Sequence, residues 1–378
     1  MIDITFPQVR DDWSLDVVNI LAFLGEHNII ACSQQICMSW TCFLPRLIPA
    51  PQGLLAQRPK KLASEDDVPV MGIYSGINRP TLQYFGRMLH TDGSDLPPFT
   101  TRVLEIRWDP KNKDGSLKRN PLRPRLFSPM NIIAVLSCAM SLGLAAWALV
   151  LGDAVALTGI LVMSFTTPLL CAGMRWRPRL IKAPRMESDP VPRGTVVMKS
   201  SNECFTVVTC DDHIARLLYF HPEYIDYAVS SFTGRGLSGT VGGLTLVGSI
   251  VLLGNAVWTI KAALAVTYTV LNLLYWVAAI LPVRLPWHID LVISSPQITE
   301  HPTFIQGLYT AIYTTKLSGW AREHVPKTGA WDDWLNVAKA LARDGVGLEE
   351  WDADGALTEC LNYQTKVQEQ KVEEQISM

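Results

Sequence analysis

The sequence predicts a mainly α integral membrane protein: two transmembrane helical hairpins, four spans in all, with a small cytosolic α+β domain that the hairpins interrupt. Three observations carry that prediction. Residues 126–174 contain one charged side chain, Asp153, and residues 236–283 contain one, Lys261. Each run is too long for one bilayer crossing and suits two, since a span needs roughly 20 apolar residues. Basic residues crowd the flanks of the first run, and short alternating segments outside the runs read as strands.

Taken in order, residues 1–48 open with Asp3, Asp11 and Asp12 and no basic run before an apolar core, unlike a cleaved signal peptide. Trp13, Val17, Leu21 and Leu24 recur at helical spacing, which predicts an amphipathic helix. Residues 28–45 are uncharged but carry Gln34, Gln35, Ser39 and Thr41. A helix at the membrane surface or against the bundle is one reading of them, and a fifth span is the other. Cys32, Cys37 and Cys42 recur every five residues, a spacing that on one helix would not converge on a metal. The Pro, Gln, Lys and Ser of 49–67 read as a linker.

The first part of the α+β domain spans 68–125, with strands expected near 68–74 and 103–108 and a short helix over 80–89. In hairpin 1 (126–174), spans over 130–151 and 154–174 leave only Gly152 and Asp153 for the turn. Pro168 removes an amide from the second span, freeing a carbonyl one turn back. Arg107, Lys111, Lys113, Lys118, Arg119, Arg123 and Arg125 precede this hairpin, and Arg175, Arg177, Arg179, Lys182 and Arg185 follow it. The positive-inside rule then places both flanks, and both termini, in the cytosol.

The second part of the domain (175–235) predicts a β-hairpin, 195–199 with 204–210, followed by a helix capped at Asp211 or Asp212. We expect the two parts to form one sheet. Hairpin 2 (236–283) turns at 259–261. Its first helix carries the small-residue face Gly239, Gly242, Gly243 and Gly248, suited to close helix packing inside the monomer or to an oligomer interface. Gly234, Gly236 and Gly239 satisfy a dinucleotide-type glycine spacing, but no strand precedes them and no acid follows through Val283. Residues 284–363 predict amphipathic helices. One, over 303–322, could lie along the membrane interface. Another, over 331–343, offers Trp331, Trp334 and Leu335 for docking onto the cytosolic domain or a protein partner. The polar tail 364–378 reads as disordered.

Four stretches, 33–45 (SQQICMSWTCFLP), 155–170 (VALTGILVMSFTTPLL), 271–279 (LNLLYWVAA) and 331–335 (WDDWL), together resemble a group of multi-pass membrane proteins from filamentous fungi. The resemblance implies a membrane address. That group has no assigned activity, so it supplies no catalytic residues.

The net charge of -2 argues against nucleic acid as a partner. No catalytic, cofactor-binding or metal-ligating motif emerges. Cys210, Asp211, Asp212, His213 and His221 group ligand-type side chains, but caps and a solvated helix face explain them. The expected role is therefore a non-enzymatic scaffold or adaptor, in contact with the lipid bilayer and a cytosolic protein. The alternative is a subunit of a homo-oligomeric channel or transporter assembled through Gly239 and Gly243. A lipid-modifying enzyme has least support.

Overall fold

The computed structural model describes residues 25–55, 58–90, 96–109, 122–179, 192–200, 202–282 and 284–376. The helix expected around Trp13, Val17, Leu21 and Leu24 and the basic stretches 111–119 and 182–185 lie outside the described residues. The chain divides into two units, 1–60 with 122–179 and 224–289, and 61–121 with 180–223 and 290–378. It passes between them five times.

The first unit is a helix bundle. Its helices are α1 (Glu26–Met38), α2 (Pro129–Val150), α3 (Ala154–Met174), α4 (Phe232–Gly254) and α5 (Trp258–Ile280). Four of them, α2 to α5, are long and apolar enough to cross a membrane. Close approach of α3 and α4 rests on small residues. A Cβ at Gly242 would lie 2.3 Å from Leu170 Cδ2, and one at Gly159 would lie 2.9 Å from Leu253 Cδ2. Between these levels the Thr166 hydroxyl donates to Thr245 Oγ1 at 3.0 Å.

Short antiparallel ladders close the open ends of the hairpins. Leu122–Pro124, entering hairpin 1, pairs with Trp287–Ile289, leaving hairpin 2, and Trp176–Arg179 pairs with Tyr224–Tyr227. The entry of each hairpin is thus tied to the exit of the other.

The second unit is built on a seven-stranded sheet of β1 (Val70–Gly72), β2 (Asn78–Arg79), β3 (Thr101–Trp108), β4 (Val196–Lys199), β5 (Phe205–Thr209), β6 (Leu291–Ile293) and β7 (Gln297–Thr299). The order is β6-β3-β5-β4-β1-β2, with β7 also paired to β3. The parts expected on either side of hairpin 1 meet directly: β3 runs parallel to β5, with Val103 opposite Val207. β6 and β7 lie along the same strand, and Ser294 between them donates its N–H to Glu105 O and accepts the Glu105 N–H on its hydroxyl. The interruption at Ser294, Ser295 and Pro296 blunts this edge.

Helices α6 (Phe304–Thr315), α7 (Gly329–Asp344) and α8 (Ala353–Ile376) share a core with the sheet. Phe205, Val207, Leu308, Ile312, Trp334 and Leu335 meet there. Three expectations are corrected by these observations. The 303–322 segment lies in this core and not along an interface, because Leu308, Tyr309, Ala311 and Ile312 are fully buried. Residues 291–299 are strands, too short and interrupted for periodicity to reveal. The tail is helical through Ile376, as its Glu, Gln and Lys content allows.

Candidate functional site

The part of the bundle least explained by helix packing is residues 39–55. Helix α1 has 13 residues, about 20 Å of rise, too short to cross a bilayer. It packs on α5 through the Cys32 thiol, which donates to Tyr275 O at 3.8 Å, and the Asn28 amide, which donates to Asn272 Oδ1 at 3.5 Å. Gly25 enters it with φ 93°, and a Cβ there would overlap the Asn272 amide. Of the two readings for 28–45, the structure has the helix against the bundle.

The chain then leaves the helix at Ser39, makes a tight turn over Trp40–Phe43, runs extended to Ile48, and makes a second tight turn over Pro51–Leu55. Pro45, Pro49 and Pro51 forbid a continuous helix here. Leu47, Ile48, Ala50 and Leu54 are at most 1% exposed. The linker reading of 49–67 therefore fails for its first third, since proline-rich sequence also suits a buried extended segment.

Buried non-helical backbone needs a partner for every polar group. Here hydroxyls and one freed carbonyl supply them. The Arg46 N–H donates to Ser164 O at 3.1 Å, the carbonyl that Pro168 leaves without its helical donor. Thr167 donates its hydroxyl to Arg46 O at 2.7 Å. Leu47 donates its N–H to Ser141 Oγ at 2.9 Å, and the Ser137 hydroxyl donates to Leu47 O. The Thr41 hydroxyl donates to Asn131 Oδ1 at 2.6 Å. Polar positions in α2 and α3 that look incidental in sequence thus form a cradle for one inserted segment.

The segment brings in a charge. Arg46 is 1% exposed and donates through Nη1 to Thr41 O. Arg175, 5% exposed, donates to Ser39 O and to Cys42 Sγ at 3.4 Å, with the Trp40 ring 4.3 Å from its guanidinium carbon. Cys37 and Cys171 lie beside each other, and Cys42 lies close to both arginines. The helical argument separating Cys37 from Cys42 fails because α1 ends at Met38. Arg46 escaped sequence reasoning because it lies outside the long apolar runs; its setting among three prolines was the available signal.

The glycines singled out from the sequence divide. Gly242 is buried against Leu170, whereas a Cβ at Gly239 would meet only Leu55 at 3.9 Å, and Gly243 and Gly248 face open space. Trp331, Trp334 and Leu335 come together, but in the core of the second unit. Trp334 is fully buried, donates Nε1–H to Ala353 O at 2.9 Å and stacks on Trp351, while Leu335 is 5% exposed and Trp331 packs edge-on to Trp334. Of the two docking readings for this face, Trp334 and Leu335 show the internal one and not the partner one, because the α7 face that carries them is covered by α6 and α8.

In the second unit, the Cys210 thiol donates to Gly194 O at 3.1 Å and Asp212 pairs with Arg216 at 2.6 Å. His90 is hydrogen-bonded to the Tyr219 hydroxyl at 2.7 Å, and burial pushes its pKa down to about 3, so it is neutral. Glu223, 3% exposed, accepts the Phe85 N–H at 3.0 Å. Burial drives its carboxyl up to about 8 against the lowering effect of the Phe85 and Tyr84 amides. No protein-family model, curated protein or solved structure matches the chain.

Proposed function

We propose that this is an integral membrane protein that works through its helix bundle, as one subunit of an anion channel or transporter, with the sheet-containing unit and both termini in the cytosol. The inserted segment 39–55 carries this reading. In lipid, non-helical backbone is tolerated where it is buried in protein or lines a pathway, and a buried arginine without an acid is costly unless it serves a purpose. Here four hydroxyl-bearing or kinked positions, Ser137, Ser141, Thr167 and Pro168, are committed to holding such a segment and its Arg46.

Membrane insertion is supported by the outward faces of the long helices, where Leu142, Val247, Val266 and Trp276 are exposed. Orientation is supported by charge: Arg123, Arg125, Arg175, Arg177, Arg179 and Arg284 flank the hairpins, against Asp153 at the turn of hairpin 1 and Lys261, which lies in the first turn of α5 because hairpin 2 turns at 255–257 and not at the expected 259–261. Four helices enclose too little space for a pathway, so the reading requires oligomers, for which the open Gly243 and Gly248 positions offer a lipid-facing contact.

The test is anion efflux from proteoliposomes containing the full chain, with subunit count measured in native nanodiscs by mass photometry. Oligomers with anion-selective efflux are expected. A monomer that passes no anion would overturn the reading and favour the second one, a scaffold or adaptor for a cytosolic protein. That second reading draws on the size of the sheet-containing unit, about half the chain.

A further inference from the structure

At the open side of the hairpins the helices of the first unit end among exposed basic side chains. Beyond α3, the ribbon of Trp176–Arg179 and Tyr224–Tyr227 buries Trp176 and Pro178 and exposes Arg177 and Arg179. Lys60 runs alongside, its carbonyl accepting the Ile225 N–H at 3.2 Å, and is exposed as well. Arg125, just before α2, is exposed. These four cations enter none of the ion pairs among the described residues. The ribbon's one acid, Asp226, stands opposite Arg177 in register, yet it too forms none of them. Large apolar side chains stand beside the cations. Trp40 is 69% exposed, and its ring lies 4.3 Å from the guanidinium carbon of Arg175, two residues before Arg177. Phe127, two residues after Arg125, is 80% exposed. Hydrogen bonds join these places: the Thr41 hydroxyl donates to Asn131 Oδ1 at 2.6 Å, and the Asn131 amide donates to Arg125 O at 3.1 Å and Leu126 O at 2.8 Å.

Two chemistries thus meet at one level of the bundle, guanidinium and ammonium groups free of acids and aromatic rings open to the surroundings. An acidic protein segment matches the charges, but it gives no reason for exposed rings at the ends of membrane-length helices. A phospholipid matches both, because its charged headgroup and its acyl chains adjoin at that depth. We propose that Lys60, Arg125, Arg177 and Arg179, with Trp40 and Phe127, hold anionic phospholipids of the cytosolic leaflet. The basic N–H groups donate to headgroup oxygens, Arg in a fork that suits phosphate and carboxylate, while the rings enter the boundary with the acyl chains. This surface requires the membrane insertion and orientation proposed above and is independent of conduction.

The experiment uses the full-length chain in nanodiscs assembled from equal amounts of phosphatidylcholine and phosphatidylserine, with native mass spectrometry counting the lipids of each kind that stay on the protein after collisional release. Phosphatidylserine is expected to be retained about tenfold over phosphatidylcholine, a preference that weakens as salt is raised. Arg177→Gln combined with Arg179→Gln should lower it about fivefold or more. Lys327→Gln combined with Arg343→Gln, which removes two exposed charges from the second unit, should leave it unchanged. Equal retention of the two lipids by the wild type overturns the surface, as does a wild-type preference in the Arg177→Gln, Arg179→Gln variant. Loss of the preference on adding inorganic phosphate or a soluble oligoglutamate at constant ionic strength would assign the cations to a free anion or to an acidic protein, and overturns the lipid. A chain that does not enter nanodiscs overturns both this surface and the membrane reading. One that prefers phosphatidylserine and passes no anion keeps the surface and removes the channel.

Discussion

Asp153 bridges the turns of the two hairpins: Oδ1 accepts the Ala156 N–H at 2.9 Å, capping α3, and Oδ2 accepts the Val257 N–H at 2.8 Å, just before α5. The lone acid of the first apolar run is thus a clasp between hairpins. Burial, the largest single influence, raises its carboxyl pKa, but the amides of Ala156, Val257 and Val155 together more than offset it, so the net shift is downward. A depressed carboxylate contributes stability that is present above its unfolded value of about 3.9 and is lost as pH falls through the lower folded value. Asp153→Ala should cost about 1–2 kcal/mol, the range of a lost helix cap. Its unfolding midpoint should also lose the wild type's fall at acid pH, measured by intrinsic fluorescence in detergent.

The hydroxyl cradle gives a second expectation. Ser141→Ala strands the Leu47 N–H, and Thr167→Val strands the Arg46 carbonyl, each at about 1–3 kcal/mol. Because both hold one short segment, their effects should be non-additive in a double-mutant cycle. Strict additivity of the unfolding free energies would mean the segment is not a single cooperative element.

Neighbouring glycines should behave in opposite ways. Gly242→Leu drives a side chain into Leu170 and should destabilise the monomer, by about 1–3 kcal/mol or more. Gly243→Leu meets open space, so it should leave the unfolding midpoint in place while reducing the oligomer count in nanodiscs. An unchanged count would remove Gly243 from any subunit contact.

Trp334→Ala should cost about 3–5 kcal/mol, as for other fully buried tryptophans, and should show as loss of the folded sheet-containing unit in limited proteolysis. A normally folded variant defective only in binding another protein would contradict its place in the core.

Glu223 should make that unit weaker in alkali. Its folded carboxyl titrates near 8, well above the unfolded value of about 4.3, so its contribution is greatest below the unfolded value and declines until the pH passes the folded one. Glu223→Gln keeps an acceptor for the Phe85 N–H and removes the charge. It should flatten the dependence of stability on pH between about 5 and 8. A wild-type profile already flat over that range would refute the assignment.

Much of the architecture was legible because it follows from local chemistry. Two apolar runs with one charge each dictate four long helices, Gly152 and Asp153 dictate a tight turn, and alternation dictates the β4–β5 hairpin. The division of the sheet-containing unit around hairpin 1 was also foreseen, since isolated strand pairs are marginal until joined. Only the tertiary structure decided where three features belong. Pro49 and Pro51 read as linker, and Arg46 goes unremarked, until Ser137, Ser141, Ser164 and Thr167 are seen to satisfy the backbone of Arg46 and Leu47. Trp334 and Leu335 make the same amphipathic stripe whether they face a partner or the chain's own helices α6 and α8. Gly242 and Gly243 are adjacent in sequence yet point to opposite surroundings. Periodicity states that a face is apolar and composition states that a segment will not be helical, but neither names the surface that covers it, because that choice depends on contacts between residues far apart in sequence, such as Leu47 with Ser141 and Gly242 with Leu170.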